Sequence, residues 1–144
     1  MSSLSISGRK KCINLIANDE GFRGKYYKDM RGNLTIGFGF NLEKLEMPLD
    51  IAMQWLEYLE KIIEAYLASE LKFFDDLNDA RKSVLINMAY HLGFGGLLGF
   101  KKMIEALSVK DYKKACEYMK DSCWYRTFTG RATRLINMMS SGEF

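Results

Sequence analysis

Strand-type patterning occupies one short stretch of this chain, Lys25 to Phe40, and everything beyond its single proline, Pro48, repeats at helical spacing. That split constrains the fold more than any other feature. A chain patterned this way has one small sheet near its front and a succession of helices behind it, which is an α+β arrangement. The strand stretch is rich in Tyr, Thr, Ile and Phe and is interrupted by Arg31-Gly32-Asn33, the pattern of strands joined by a tight turn. Ahead of it, Cys12, Ile13, Leu15 and Ile16 recur at near-helical spacing, with Ser7 as the expected cap and Gly21 as the stop. Behind it, Pro48-Leu49-Asp50 opens a long helix whose apolar stripe, from Ile51 and Trp55 to Ile63 and Leu67, runs to about Leu71.

The remaining stripes are shorter. Val84, Leu85, Met88, Ala89 and Leu92 form one, and Met103, Ile104 and Leu107 form another. Ser108 to Asp111 resembles a capping box for the next helix, and Thr129 is the expected cap of a last one carrying Leu135, Ile136 and Met139. Gly93 to Gly99 lacks the Gly-Lys-Ser/Thr of a phosphate cradle and fails the dinucleotide spacing, so it reads as a turn between helices. No repeat or linker composition breaks the chain. The expectation is one domain over 1–144, with a helix-and-sheet lobe to about 48, a connecting helix over about 49–71 and a helical lobe over about 72–144.

Composition excludes several functions. A net charge of +3 without a basic cluster is too weak for nucleic-acid binding, yet has the right sign for an anionic polymer such as a bacterial wall. No apolar run approaches the roughly 20 residues of a membrane span, so no stable membrane insertion is expected. Met1 to Lys11 lacks the apolar core of a signal peptide, so the chain is expected to stay in the cytoplasm of the producing cell. Cys12, Cys116 and Cys123 are odd in number with no Cys-x-x-Cys, which suggests neither a disulfide framework nor a zinc site.

Two carboxylates stand out. Glu20 ends the first helix, where the negative end of the helix dipole disfavours its charge; it is either a frayed, solvated glutamate or an acid kept protonated for donation. Asp29 stands near the sheet's first turn, where Asp commonly bonds its own backbone. Thr35, taken alone, is a β-branched strand residue. Glycoside hydrolysis needs two carboxyl groups, one to protonate the departing oxygen and one to activate water or attack the sugar.

Asp19-Glu20-Gly21-Phe22-Arg23, Tyr27-Lys28-Asp29 and Leu34-Thr35-Ile36-Gly37-Phe38-Gly39 together resemble the T-even phage lysozyme family, glycoside hydrolase family 24. The similarity continues through Leu85-Ile86-Asn87-Met88, Gly99-Phe100, Trp124-Tyr125 and Gly130-Arg131-Ala132, and is weakest between Asn41 and Leu71. It implies a lysozyme-like fold and hydrolysis of the β-1,4 bond between N-acetylmuramic acid and N-acetylglucosamine in peptidoglycan. By the same resemblance Glu20 is the general acid, Asp29 activates water with inversion, Thr35 holds that water, and Arg131 orients Glu20.

The resemblance further implies that Tyr90, Gly39 and Phe100 touch the substrate, that no cofactor or metal is needed, and that a monomer reaches the wall through a holin-made hole. Asn87, Tyr90, His91 and Phe94 are expected to share a helix face, with His91 a polar structural residue rather than a catalyst. The chain departs from the family at Phe40, where a histidine is common, and at Met103 and Tyr118, where relatives carry small polar residues. The rival functions are a lytic transglycosylase, which needs no Asp29, and a non-catalytic peptidoglycan-binding module, which tolerates loss of the acid.

Overall fold

A computed structural model of the protein describes residues 4–144. Its elements run α1 (Ile6–Glu20), β1 (Arg23–Lys28), β2 (Leu34–Gly37), β3 (Phe40–Asn41), α2 (Leu49–Glu70), a 3-10 turn (Phe74–Asp76), α3 (Asp79–Leu98), α4 (Lys101–Ser108), α5 (Tyr112–Lys120), α6 (Cys123–Thr127) and α7 (Thr129–Ser141). This is the α+β arrangement that the patterning called for, and it is consistent with the lysozyme-like fold that the resemblance implied. The chain divides into two compact units, one ending at Ile51 and the other starting at Ala52.

In the first unit, α1 starts earlier than its apolar pattern suggested. Ser5, not Ser7, is the N-cap, its hydroxyl accepting from Gly8 N–H at 3.0 Å, and Ser7 lies inside the helix. Gly21 ends the helix as expected. The three strands pair antiparallel in the order β1-β2-β3, with Tyr27 opposite Thr35 and Thr35 opposite Asn41. The register slips between Arg23 and Tyr27, a bulge of the kind that bends a strand and re-aims its side chains. Along β2 it is Thr35 and Gly37 that are buried, while Leu34 and Ile36 are half-buried. Thr35 is the one buried polar residue among those described.

The second unit holds the core. Leu67 and Ile63 of α2, Phe74 of the 3-10 turn and Val84, Leu85 and Met88 of α3 are buried together with apolar side chains of α4 to α7. Only Ile63 and Leu67 in the C-terminal half of α2 are buried, while Ile51 and Trp55 of the N-terminal half, and Ile62, remain exposed. Asn78 caps α3 through Arg81 N–H, and Arg81 reaches across to donate to the carbonyls of Met139 and Ser140 at 2.9 and 3.1 Å, closing the C-terminal end of α7. The Arg81 guanidinium also stacks 3.6 Å over the Tyr112 ring.

Two capping expectations are corrected. The N-cap of α5 is Asp111, accepting from Lys114 N–H at 2.9 Å, while Ser108 is the last residue of α4 and bonds back to Glu105. Lys110, at φ 59°, separates the two helices inside that four-residue window. Thr129 does not cap α7; its hydroxyl donates to the Tyr125 carbonyl at 2.9 Å, tying α7 to α6. The turn expected at Gly93–Gly99 is a break at Gly93, which at φ 76° and ψ 167° interrupts α3 where another residue would be strained. No single helix among the described residues is long and apolar enough to cross a membrane.

Candidate active site

The first unit carries Glu20, Asp29, Thr35 and Gly39. Glu20, the last residue of α1, is exposed, and its carboxylate lies against the backbone of Gly39. Gly39 has φ 76°, and a Cβ built there would stand 2.6 Å from Glu20 Oε2. The backbone conformation favours glycine, and a side chain there would push the Glu20 carboxylate aside. The structure makes Gly39 the neighbour of the Glu20 carboxylate, a placement that the motif had not disclosed.

Asp29 opens the turn between β1 and β2. Its Oδ1 accepts the N–H groups of Arg31 and Asn33, each at 2.8 Å, and its Oδ2 accepts Asn33 Nδ2 at 3.0 Å. The Asn33 side chain first and its backbone N–H second hold the Asp29 carboxyl below its ordinary value; desolvation opposes them, and the Arg31 backbone N–H and charge add smaller contributions in the same downward direction. The common turn role of Asp is thus fully realised here. It does not exhaust the group, because three bonds occupy three of roughly four acceptor sites and leave an ionised oxygen with capacity to spare.

Thr35, 3% exposed, donates its hydroxyl proton to the Asn33 carbonyl at 3.0 Å. The same carbonyl accepts Asp29 N–H at 3.0 Å. Asn33 therefore joins Asp29 to Thr35 through its side chain and both backbone groups. Sequence reasoning missed it, although its place four residues after an Asp and directly after Gly32 is a signal for such a turn.

The second unit carries Arg131, Tyr90 and Phe100. Arg131 donates from Nε to Asn87 Oδ1 at 2.9 Å and from Nη2 to the Asn87 carbonyl at 3.4 Å. Asn87, Tyr90 and Arg131 line one cavity of about 380 Å³ with Glu60 and Ser83. Phe100 lines a different one, of about 610 Å³, with Trp124, Tyr118, Lys101 and Lys102. The shared face expected for Asn87, Tyr90, His91 and Phe94 does not extend to Phe94: the break at Gly93 intervenes, and Phe94 stacks on Tyr66 at 3.8 Å. His91 accepts from Trp124 Nε1 at 3.2 Å and meets the edge of Phe128, the surroundings of a structural residue.

The phage lysozyme family model matches residues 17–137. This chain belongs to the phage lysozyme family. Among its relatives, the pre-baseplate central spike protein Gp5 of Enterobacteria phage T4 is 28% identical, over 90% of this chain and 27% of the spike protein, so the chain spans about a quarter of that relative. Probable T4-type lysozymes 1 and 2 of Dictyostelium discoideum are 25% and 23% identical, each over 90% of this chain and 93% of the relative.

At the level of the phage lysozyme family the chemistry is that of a lysozyme-type peptidoglycan hydrolase, a glycoside hydrolase. Within this family member, the position where a histidine is common carries Phe40, whose ring stands edge-on to Phe38 at 6.4 Å, with Phe22 5.4 Å beyond. Phe22, Phe38 and Phe40 form an aromatic cluster there. Met103 is fully buried, whereas Tyr118 faces the larger cavity, with Lys102 Nζ 5.8 Å from its ring.

Proposed function

We propose that this chain is a lysozyme, cleaving the β-1,4 bond between N-acetylmuramic acid and N-acetylglucosamine with inversion at the anomeric carbon. In this proposal Glu20 is the general acid that protonates the departing oxygen, and Asp29 is the carboxylate that activates water. The observation that carries it is the contrast between the two carboxyl groups. Glu20 is exposed at the end of α1 beside Gly39, while Asp29 is kept ionised by three hydrogen bonds at the turn between β1 and β2. Glycoside hydrolysis needs one carboxyl group to protonate the departing oxygen and a second that stays ionised, and Asp29 has the bonds of the second.

Thr35 spends its proton on Asn33, so its remaining capacity is as an acceptor for the attacking water. A carboxylate with a depressed pKa is a weak base. Asp29 therefore contributes more by orienting that water and stabilising the oxocarbenium-like charge than by abstracting a proton early. Arg131 is held by Asn87, and Tyr90 and Phe100, each in its own cavity, offer rings for sugar stacking. The partner is the peptidoglycan glycan strand, reached by a monomer from the producing cell's cytoplasm through a holin-made opening.

Two product measurements on purified peptidoglycan test the proposal. New reducing ends mark hydrolysis, whereas anhydro ends would identify a transglycosylase in which Asp29 has no part. NMR of the freshly released sugar should show the inverted anomer. Retention would make Asp29 a nucleophile instead.

A further inference from the structure

The only histidine of the chain bonds an indole that lines the larger cavity. Trp124 is 5% exposed, and its Nε1–H donates to His91 Nδ1 at 3.2 Å. A buried indole N–H needs an acceptor, and Nδ1 serves only while it carries no proton, which places the ring proton on Nε2. On Trp124's other side, the ring of Phe100 stands edge-on at 6.0 Å and 89°, and both side chains line the cavity of about 610 Å³ with Tyr118. His91 touches none of that cavity's lining but Trp124 among its observed contacts, so any influence it has there passes through the indole.

We propose that His91 is a proton-sensitive positioning residue: protonation turns Nδ1 from acceptor to donor and releases Trp124 from its place in the cavity wall. Imidazole is the side chain that ordinarily changes charge between about pH 5 and 8. With protons on both ring nitrogens, two N–H groups face each other. The other contact of the ring is the edge of Phe128, at 4.4 Å and 78°, which offers no acceptor in exchange. The ionisable side chains of α6 are Cys123, Tyr125 and Arg126, those of α7 are Arg131 and Arg134, and those of its own helix are Asp79, Arg81, Lys82 and Tyr90; the one carboxylate among them, Asp79, stands more than three helical turns from His91. Arg131 is bound to Asn87, one helical turn before His91, so a second cation gains no counterion from these neighbours.

The indole release stands on this geometry alone; its effect on turnover rests on the proposed lysozyme activity. Trp55→Phe, at an exposed position on α2, leaves Trp124 as the sole indole. NMR of that protein from pH 8 to 5 follows the Trp124 indole N–H and the single imidazole together. The expected result is one shared midpoint, with the indole proton moving upfield in acid as its bond is lost. Adding His91→Gln supplies an amide oxygen that accepts but does not titrate, and the indole signal should then stay constant over the same range. An indole signal that ignores the imidazole midpoint, or that titrates equally in the Gln variant, overturns the proposal. Should the Gln variant fail to fold, the comparison of the two midpoints in the His91 protein decides alone. Peptidoglycan turnover, measured alongside, should lose its acid limb in His91→Gln. A protein whose indole titrates but which cleaves no glycan would refute the lysozyme proposal and leave the positioning role intact.

Discussion

Gly39→Ala separates the position of Glu20 from the stability of the fold. The new Cβ would stand 2.6 Å from Glu20 Oε2, and the backbone would have to keep φ 76° with a side chain attached. The conformational cost is of order 1–3 kcal/mol. The contact itself is cheap to relieve, because the carboxylate is the far end of a flexible side chain. Relief means that it retreats by roughly 0.8 Å to reach an ordinary carbon–oxygen separation. A displacement near 1 Å at a reacting group costs up to about 10²-fold in rate, so kcat should fall by roughly 10- to 100-fold, or about 1.4–2.7 kcal/mol. Gly93→Ala is the control: Gly93 has the same φ of 76°, and nothing lies within 4 Å of its missing Cβ. Both variants should melt at lower temperature, and only Gly39→Ala should lose turnover on peptidoglycan at equal folded fraction. If the two retain the same kcat, the placement of the Glu20 carboxylate does not matter and its assignment as the acid fails.

Asn33→Ala removes the bond from Nδ2 to Asp29 Oδ2 and should raise the Asp29 pKa towards its ordinary value, read by NMR titration of the carboxyl carbon, with reduced turnover. Because the folded-state pKa of Asp29 lies below the unfolded value of about 3.9, its contribution to stability is complete above that value and is lost as pH falls through the folded pKa. Acid unfolding curves should accordingly show a smaller loss across that window in Asp29→Asn than in the parent. Burial pushes the Cys116 thiol pKa up, so a thiol reagent should modify Cys12 and Cys123 in the native protein and reach Cys116 only on unfolding. Arg81→Met loses the bonds to Met139 and Ser140 and the stacking on Tyr112, and should cost about 1–3 kcal/mol in denaturant unfolding.

The elements were legible where the hydrophobic period was long. The stripe Val84, Leu85, Met88 and Ala89 is the buried face of α3, and Leu135, Ile136 and Met139 are that of α7. Caps were harder. Ser5 and Ser7, or Ser108 and Asp111, satisfy the same local rule, and what decides between them is where the backbone leaves the helical region, as it does at Lys110. Period also gave no warning that Phe94 would leave the face of Asn87 and Tyr90, because one glycine resets the helix phase.

At the candidate site the spacing of Glu20, Asp29 and Thr35 was visible as a motif, while the bonds that give each group its character were not. Asn33 reads as a turn residue in sequence, yet the structure makes it the junction between Asp29 and Thr35. Gly39 reads as one glycine of a Gly-x-Gly, yet its missing side chain is what leaves room for the Glu20 carboxylate. Both depend on approaches between segments that a linear pattern does not encode.

The most direct measurement is the release of reducing ends from purified peptidoglycan by the parent protein and by Glu20→Gln, each checked for the same unfolding transition. The parent should generate them steadily and the folded Gln variant should stay at background. Undiminished release by that variant would mean that the proton comes from another group and that Glu20 is only the solvated end of a helix.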